Sequence, residues 1–229
     1  QKDCSQLIIL SPFDCFCSNT TASDGSTEYT ILCDSQASSH TNFSVLNLIQ
    51  VTEIDPNVIE TQFIKYISIQ NQLLGSLSKQ LINTNLRLLT LEMKNDSIQS
   101  ISSLSLSNLI YLKELRVNGN PIKSIDFSVF GKLESLEVVD LSENSLESVS
   151  LNVGKKMNVR EINLNQNYLI DLICDLGDFP FLVNINLGNN LIQTISSKTF
   201  FNLTQLTTLN LESNRITKIE PHAFNGLIN

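Results

Sequence analysis

The stretch "LTTLNLESNRI", residues 206–216, decides the fold: Leu206, Leu209 and Leu211 stand three and two residues apart, and the alternating apolar run closes on Asn214. An asparagine favours turns over strands, so its place at the end of such a run needs a reason. The chain supplies a comparison, because "LVNINLGNNLI" (182–192), "VREINLNQNYL" (159–169) and "LEVVDLSENSL" (136–146) have the same skeleton. Counting back from Asn214 gives Asn190, Asn167, Asn144 and Asn120, separated by 24, 23, 23 and 24 residues. Self-similarity at a fixed period of this size marks a repeat architecture. In the same frame "LLTLEMKNDSI" (88–98) puts Asp96 in the asparagine slot and "IKYISIQNQLL" (64–74) puts Gln72 there. "FSVLNLIQV" (43–51) is irregular and has Val51 in the slot, so about eight repeats are read between 43 and 229, the last incomplete.

Side chains in a strand alternate faces, so Leu209 and Leu211 point inward while Thr208, Asn210 and Glu212 point out. Past Leu211 the chain turns inside the stack, where backbone donors and acceptors would be buried without partners. A carboxamide carries both a donor and an acceptor, so a column of asparagines can satisfy those turns from repeat to repeat. Val51 cannot do this, and Gln72 and Asp96 do it imperfectly. A less regular N-terminal third is expected.

The pattern L-x-x-L-x-L-x-x-N-x-L resembles the leucine-rich repeat. Phe130, Phe200 and Phe224 each follow their asparagine by ten residues, as in the 24-residue extracellular subtype. The resemblance implies an α/β class fold: a curved solenoid with a parallel β-sheet on its concave face and an irregular or 3-10 convex side. In a solenoid each repeat packs only on its neighbours, so one elongated domain accommodates the whole chain.

Cys4, Cys15, Cys17 and Cys33 crowd the first 34 residues. This C-x10-C-x-C-x15-C cluster resembles the N-terminal cysteine cap of extracellular leucine-rich repeat proteins, which sets residues 1–42 apart as a cap. The resemblance implies disulfides Cys4–Cys17 and Cys15–Cys33; the sequence alone allows three pairings. A zinc site is the competing reading, disfavoured by the C-x-C spacing and by the absence of a nearby histidine other than His40. "STEYTILCD" (26–34) alternates Tyr29, Ile31 and Cys33 and reads as a strand covering the first sheet edge. Cys174 stands apart, either a buried small hydrophobe or a thiol for an interchain bond.

Four N-x-S/T acceptor sequons, at Asn19, Asn42, Asn95 and Asn202, agree with an oxidising, secretory history and an extracellular location. Charged residues make up 17% of the chain, and 15 Lys plus Arg against 23 Asp plus Glu give a net charge of −8. On that balance no nucleic acid is expected as partner. No stretch approaches the roughly 20 apolar residues that cross a bilayer. Gln1 reads as the start of a mature or trimmed chain, and "PHAFNGLIN" stops where another repeat is due, as in a fragment of a longer ectodomain. Membrane anchoring is left open.

Chemistry has little to work with: two histidines, no Trp, no H-E-x-x-H, no glycine-rich phosphate loop and no G-x-S-x-G. No enzymatic activity, cofactor or metal is expected, and carboxylates such as Glu92, Glu114 and Asp140 read as solvated surface charge. The informative surface is the outward strand positions. Val45, Ile49 and Tyr66 form an apolar and aromatic patch, the middle carries mixed charge around Arg116, and the last three repeats are small, flat and amide-rich. Interfaces favour Tyr and Arg as anchors. Tyr66, Gln70, Glu92, Glu114, Arg116 and Asp140 are therefore the candidate contacts for a protein ligand or co-receptor, and a homo- or heterodimer is compatible with this reading. The resemblance extends to Toll-type receptors, Slit-like guidance proteins, adhesion receptors and secreted invertebrate immune proteins. The alternative is a secreted scaffold or matrix protein that self-associates or supports an enzyme subunit.

Overall fold

The computed structural model describes residues 15–21, 27–34, 64–70, 76–77, 88–171, 176–197 and 199–229. Nine strands form the main sheet, in the order β1 (Cys15–Thr21), β2 (Thr27–Asp34), β3 (Ile64–Gln70), β5 (Thr90–Lys94), β7 (Glu114–Arg116), β9 (Val138–Asp140), β11 (Glu161–Asn163), β12 (Asn184–Asn186) and β14 (Thr208–Asn210). From β2 onward every pairing is parallel, whereas β1 runs antiparallel to β2. Each repeat contributes one strand, and the register is constant: Glu114, Val138, Glu161, Asn184 and Thr208 lie side by side. Short strands on the return of some repeats pair separately. These are β4 (Ser76–Leu77) with β6 (Ser100–Ile101), β8 (Ser124–Asp126) with β10 (Ser148–Ser150), and β13 (Thr194–Ile195) with β15 (Lys218–Ile219). The fold is a leucine-rich repeat solenoid. Its described helical turns are two short 3-10 segments, Phe127–Phe130 and Leu176–Asp178.

The alternation read from the sequence holds strand by strand. Leu91 and Met93, Leu115 and Val117, Val139 and Leu141, Ile162 and Leu164, and Ile185 and Leu187 are all buried, while the residues between them are partly exposed. Burying each such side chain stabilises by roughly 1.5–3 kcal/mol. In the last repeat Leu209 and Leu211 are only half-buried, having a neighbour on one side alone among the described residues.

The asparagine column works as a ladder. Nδ2 of Asn167 donates to the carbonyls of Leu164 (3.0 Å) and Asn165 (3.3 Å) in its own turn and of Leu141 (3.0 Å) in the preceding repeat. Its Oδ1 accepts the N–H of Leu146 at 2.9 Å. Asn144, Asn190 and Asn214 repeat the pattern, and Asn120 serves the N–H groups of Asp96 and Ile98. Each asparagine thus fastens a repeat to the one before it. Asp96 occupies the slot fully buried, as the spacing demands, but a carboxylate has no amide donor to hand backward.

The residue before each slot carries a feature the spacing did not disclose. Asn95, Gly119, Glu143, Gln166, Asn189 and Ser213 all adopt left-handed backbone, with φ between 53° and 71°. Only Gly119 does so without steric cost, and a Cβ there would also collide with Oδ1 of Asn95. On the return side Phe127 meets Phe130 at 5.1 Å and Phe179 at 5.9 Å between ring centres, both edge to face, while Phe200 and Phe224 lie parallel at 5.8 Å. The repeat between Phe127 and Phe179 has Gly154 where a phenylalanine would stand, and Phe179 reaches across to Phe127.

At the N-terminal end β2 lies beside β3, covering an edge as the 26–34 reading expects. It takes the place beside β3 that the sequence reading gives to the 43–51 unit, which lies outside the described residues together with Val45, Ile49 and Val51. The β1–β2 register puts Cys15 directly opposite Cys33 and Cys17 opposite Ile31. Cys4 and Cys174 lie outside the described residues.

Candidate recognition face

The outward side chains of the main sheet form three rows along the solenoid. The central row runs Glu92, Arg116, Asp140, Asn163, Asn186 and Asn210, each the Cα partner of the next. Arg116 is the one arginine in it. Its Nη2 donates to Oε2 of Glu114 at 3.0 Å, and Nη1 lies 3.8 Å from Oδ2 of Asp140. Partial burial lowers the guanidinium pKa, but the hydrogen bond to Glu114 and the charges of Glu114, Asp140 and Glu161 outweigh it and leave it raised. Arg116 therefore stays charged and held in place. The pairs are more than a third exposed at the guanidinium, so each contributes no more than about 1 kcal/mol.

The structure brings together four of the six sequence candidates: Glu114, Arg116 and Asp140 through these contacts, and Glu92 beside Arg116 through strand register. Tyr66 and Gln70 stand on β3, paired with Thr90 and Lys94 of β5. That is two strands from Arg116, roughly 10 Å at about 4.8 Å per strand. Of the sequons, Asn95 follows β5 and Asn202 lies on the return of its repeat, both exposed. Asn19 sits on β1, and Asn42 lies outside the described residues.

A second arrangement in the central row escaped the sequence reading. Asp140 accepts the N–H of Ser142 at 2.9 Å through Oδ1, and Asn163, Asn186 and Asn210 accept those of Asn165, Gly188 and Glu212 at 3.2, 3.1 and 2.8 Å. These side chains cap the end of their own strand in a turn two residues long. The recurrence of Asp or Asn four positions before the last four slots, Asn144, Asn167, Asn190 and Asn214, is the available signal. Arg116 has no side-chain oxygen and makes no such turn.

A shallow groove of about 380 Å³ lies along the strand entrances, lined by Lys113, Glu134, Glu137, Asn158, Arg160 and Phe181. Lys113 is paired with Glu137 at 3.0 Å, and Asn158 donates to the Glu134 carbonyl at 2.8 Å. The groove is open and of mixed charge. It lacks the convergent polar groups in an apolar cavity that mark a small-molecule site.

Comparison with known proteins agrees with the geometry. The Leucine rich repeat family model matches residues 110–169 and 180–229, so the chain carries leucine-rich repeats over those residues. Among solved structures, a chain from the crystal structure of a TLR13–ssRNA13 complex superposes with a TM-score of 0.70 at 25% sequence identity. The match covers 81% of the present chain and 26% of that one, so this sequence spans about a quarter of the protein it resembles. One expectation is overturned. The acid excess predicts no nucleic-acid partner, yet a protein of similar fold was solved in complex with ssRNA13. Net charge sums over a whole surface, whereas a ligand meets one local face, so −8 does not decide the partner class.

Proposed function

We propose that this chain is part of a non-enzymatic, extracellular recognition protein, of receptor or adhesion type, whose concave face binds a protein ligand. The observation that carries this reading is the open face of the main sheet. Parallel sheets are ordinarily covered on both sides. Here one face packs on the repeat cores, and the other presents partly exposed polar side chains held in fixed positions by their own turns and ion pairs. Arg116, braced between Glu114 and Asp140, is the anchor of this reading, with Glu92 beside it in register and Tyr66 and Gln70 two strands away on β3. Exposed sequons at Asn95 and Asn202, and Cys15 opposite Cys33, support the extracellular part of the reading. The solved complex of a similar chain supports ligand binding in general.

Site-specific photo-crosslinking tests it. A crosslinker replacing Glu92 on the concave face is expected to capture a protein from cell-surface extract, and one replacing Glu147 on the return side is not. Capture only from the return side, or a native mass showing a stable self-dimer that blocks the concave crosslink, would replace the receptor reading with the scaffold reading.

A further inference from the structure

The turns of the central row fix the orientation of their amides. A backbone N–H can be accepted by a carboxamide oxygen and not by its NH2 group, so Oδ1 of Asn163, Asn186 and Asn210 is committed to Asn165, Gly188 and Glu212. Nδ2 is the group left for a ligand, and none of the three donates within the described residues. The three residues are neighbours in register on β11, β12 and β14. Their donors therefore recur at about the 4.8 Å strand spacing. Gly188 keeps this zone clear: a Cβ there would lie 2.9 Å from Nδ2 of Asn210, 3.1 Å from Oδ1 of Asn165 and 3.2 Å from Oδ1 of Asn186.

We infer that Asn163, Asn186 and Asn210 form a donor row that holds main-chain carbonyls of a polypeptide segment of the ligand free of carboxylates; this rests on the protein-recognition reading of the concave face. The occupant follows from what the zone offers. Its outward positions, from Glu161 to Glu212, contain no Lys or Arg, so nothing there neutralises phosphates, which dominate nucleic-acid affinity. They also contain no aromatic side chain on which a base could stack. Neutral NH2 donors match neutral carbonyl acceptors, and Glu161 and Glu212 at the two ends disfavour a segment carrying carboxylates. The row continues from Arg116 and Asp140 in unbroken register, so a ligand anchored at Arg116 meets it directly.

Asp140 supplies the control that nature has already made, since an aspartate in this row keeps the turn through Oδ1. An Asn→Asp change thus removes the donor and leaves the fold. A random display library of uncharged peptides panned on the whole chain is expected to yield binders. Their affinity should fall more than tenfold in Asn186→Asp and further in the triple Asn163→Asp, Asn186→Asp, Asn210→Asp variant. Asn184→Asp, which adds the same charge in the neighbouring row, should leave affinity unchanged, and all melts should match the parent. Peptides that bind Asn186→Asp as well as the parent overturn the donor row, as does an equal loss in Asn184→Asp. A random 13-nucleotide single-stranded RNA pool that enriches where peptides do not, with the same sensitivity to Asn186→Asp, assigns the row to nucleic acid and overturns the proposal. Enrichment from neither pool also overturns it. If concave crosslinks form while Asn186→Asp has no effect, the donor row alone falls; if they do not form, the protein-recognition reading falls with it.

Discussion

Replacing Asn167 by alanine removes one rung from the middle of the ladder, and the structure lets the cost be worked out group by group. The side chain is buried and makes four hydrogen bonds. Three of its partners keep a second donor. The Leu141 carbonyl retains Nδ2 of Asn144 at 3.0 Å, the Leu164 carbonyl retains Nδ2 of Asn190 at 3.0 Å, and the Asn165 carbonyl retains the N–H of Glu143 at 2.9 Å. Only the N–H of Leu146 is orphaned in a buried turn. An unsatisfied buried donor costs about 1–3 kcal/mol, and losing the second bond at three carbonyls adds a fraction of a kcal/mol each, for a total of about 2–4 kcal/mol. Asn214→Ala breaks the same four kinds of bond in a half-buried setting, where water reaches the freed groups, so about 1 kcal/mol is expected there. Urea denaturation monitored by circular dichroism measures both. Equal costs at the two positions, or a cost below about 0.5 kcal/mol at Asn167, would refute the view that burial of the turn gives the ladder its value.

Other consequences are equally measurable. Glu143 sits in the left-handed region at φ 55°, so Glu143→Gly should raise stability by about 0.5–1 kcal/mol in a thermal melt, with no change expected if the position is unstrained. The Glu220 carboxyl is held below its ordinary value of 4.5, first by the hydrogen bond from Lys218, then by the N–H of Ser197 and the Lys218 charge. With the folded pKa lowered, its contribution is whole above the unfolded value and lost as pH falls through the folded one. An NMR titration of the Ser197 amide should therefore turn below pH 4.5, and a midpoint at or above it rejects the contact. Reductant should raise hydrogen exchange in 15–34 before the repeats, given Cys15 opposite Cys33; uniform loosening along the chain argues against a bond there. For an identified protein ligand, Arg116→Ala should weaken binding by about 2 kcal/mol or more with an unchanged melt, and intact affinity removes Arg116 from the contact.

The sequence by itself determined the repeat, its period and the face of each strand. Alternation is local: once Leu209 and Leu211 point inward, Thr208 and Asn210 must point out, and a polar residue recurring every 23 or 24 positions inside an apolar stack has only a buried hydrogen-bonding role. It also placed Glu92, Glu114, Arg116 and Asp140 on one face. Only the tertiary structure decided how residues a repeat apart engage one another. The reach of Asn167 to Leu141, the bracing of Arg116 by Asp140, and the pairing of β2 with β3 depend on stacking register. The left-handed column and the capping turns of Asn163, Asn186 and Asn210 arise because the chain must leave each strand at the same angle for the next repeat to land in line. Residue identity permits that turn in asparagine and strains it in Glu143, and the same demand orients the amide donors that the sequence showed only as a flat polar zone.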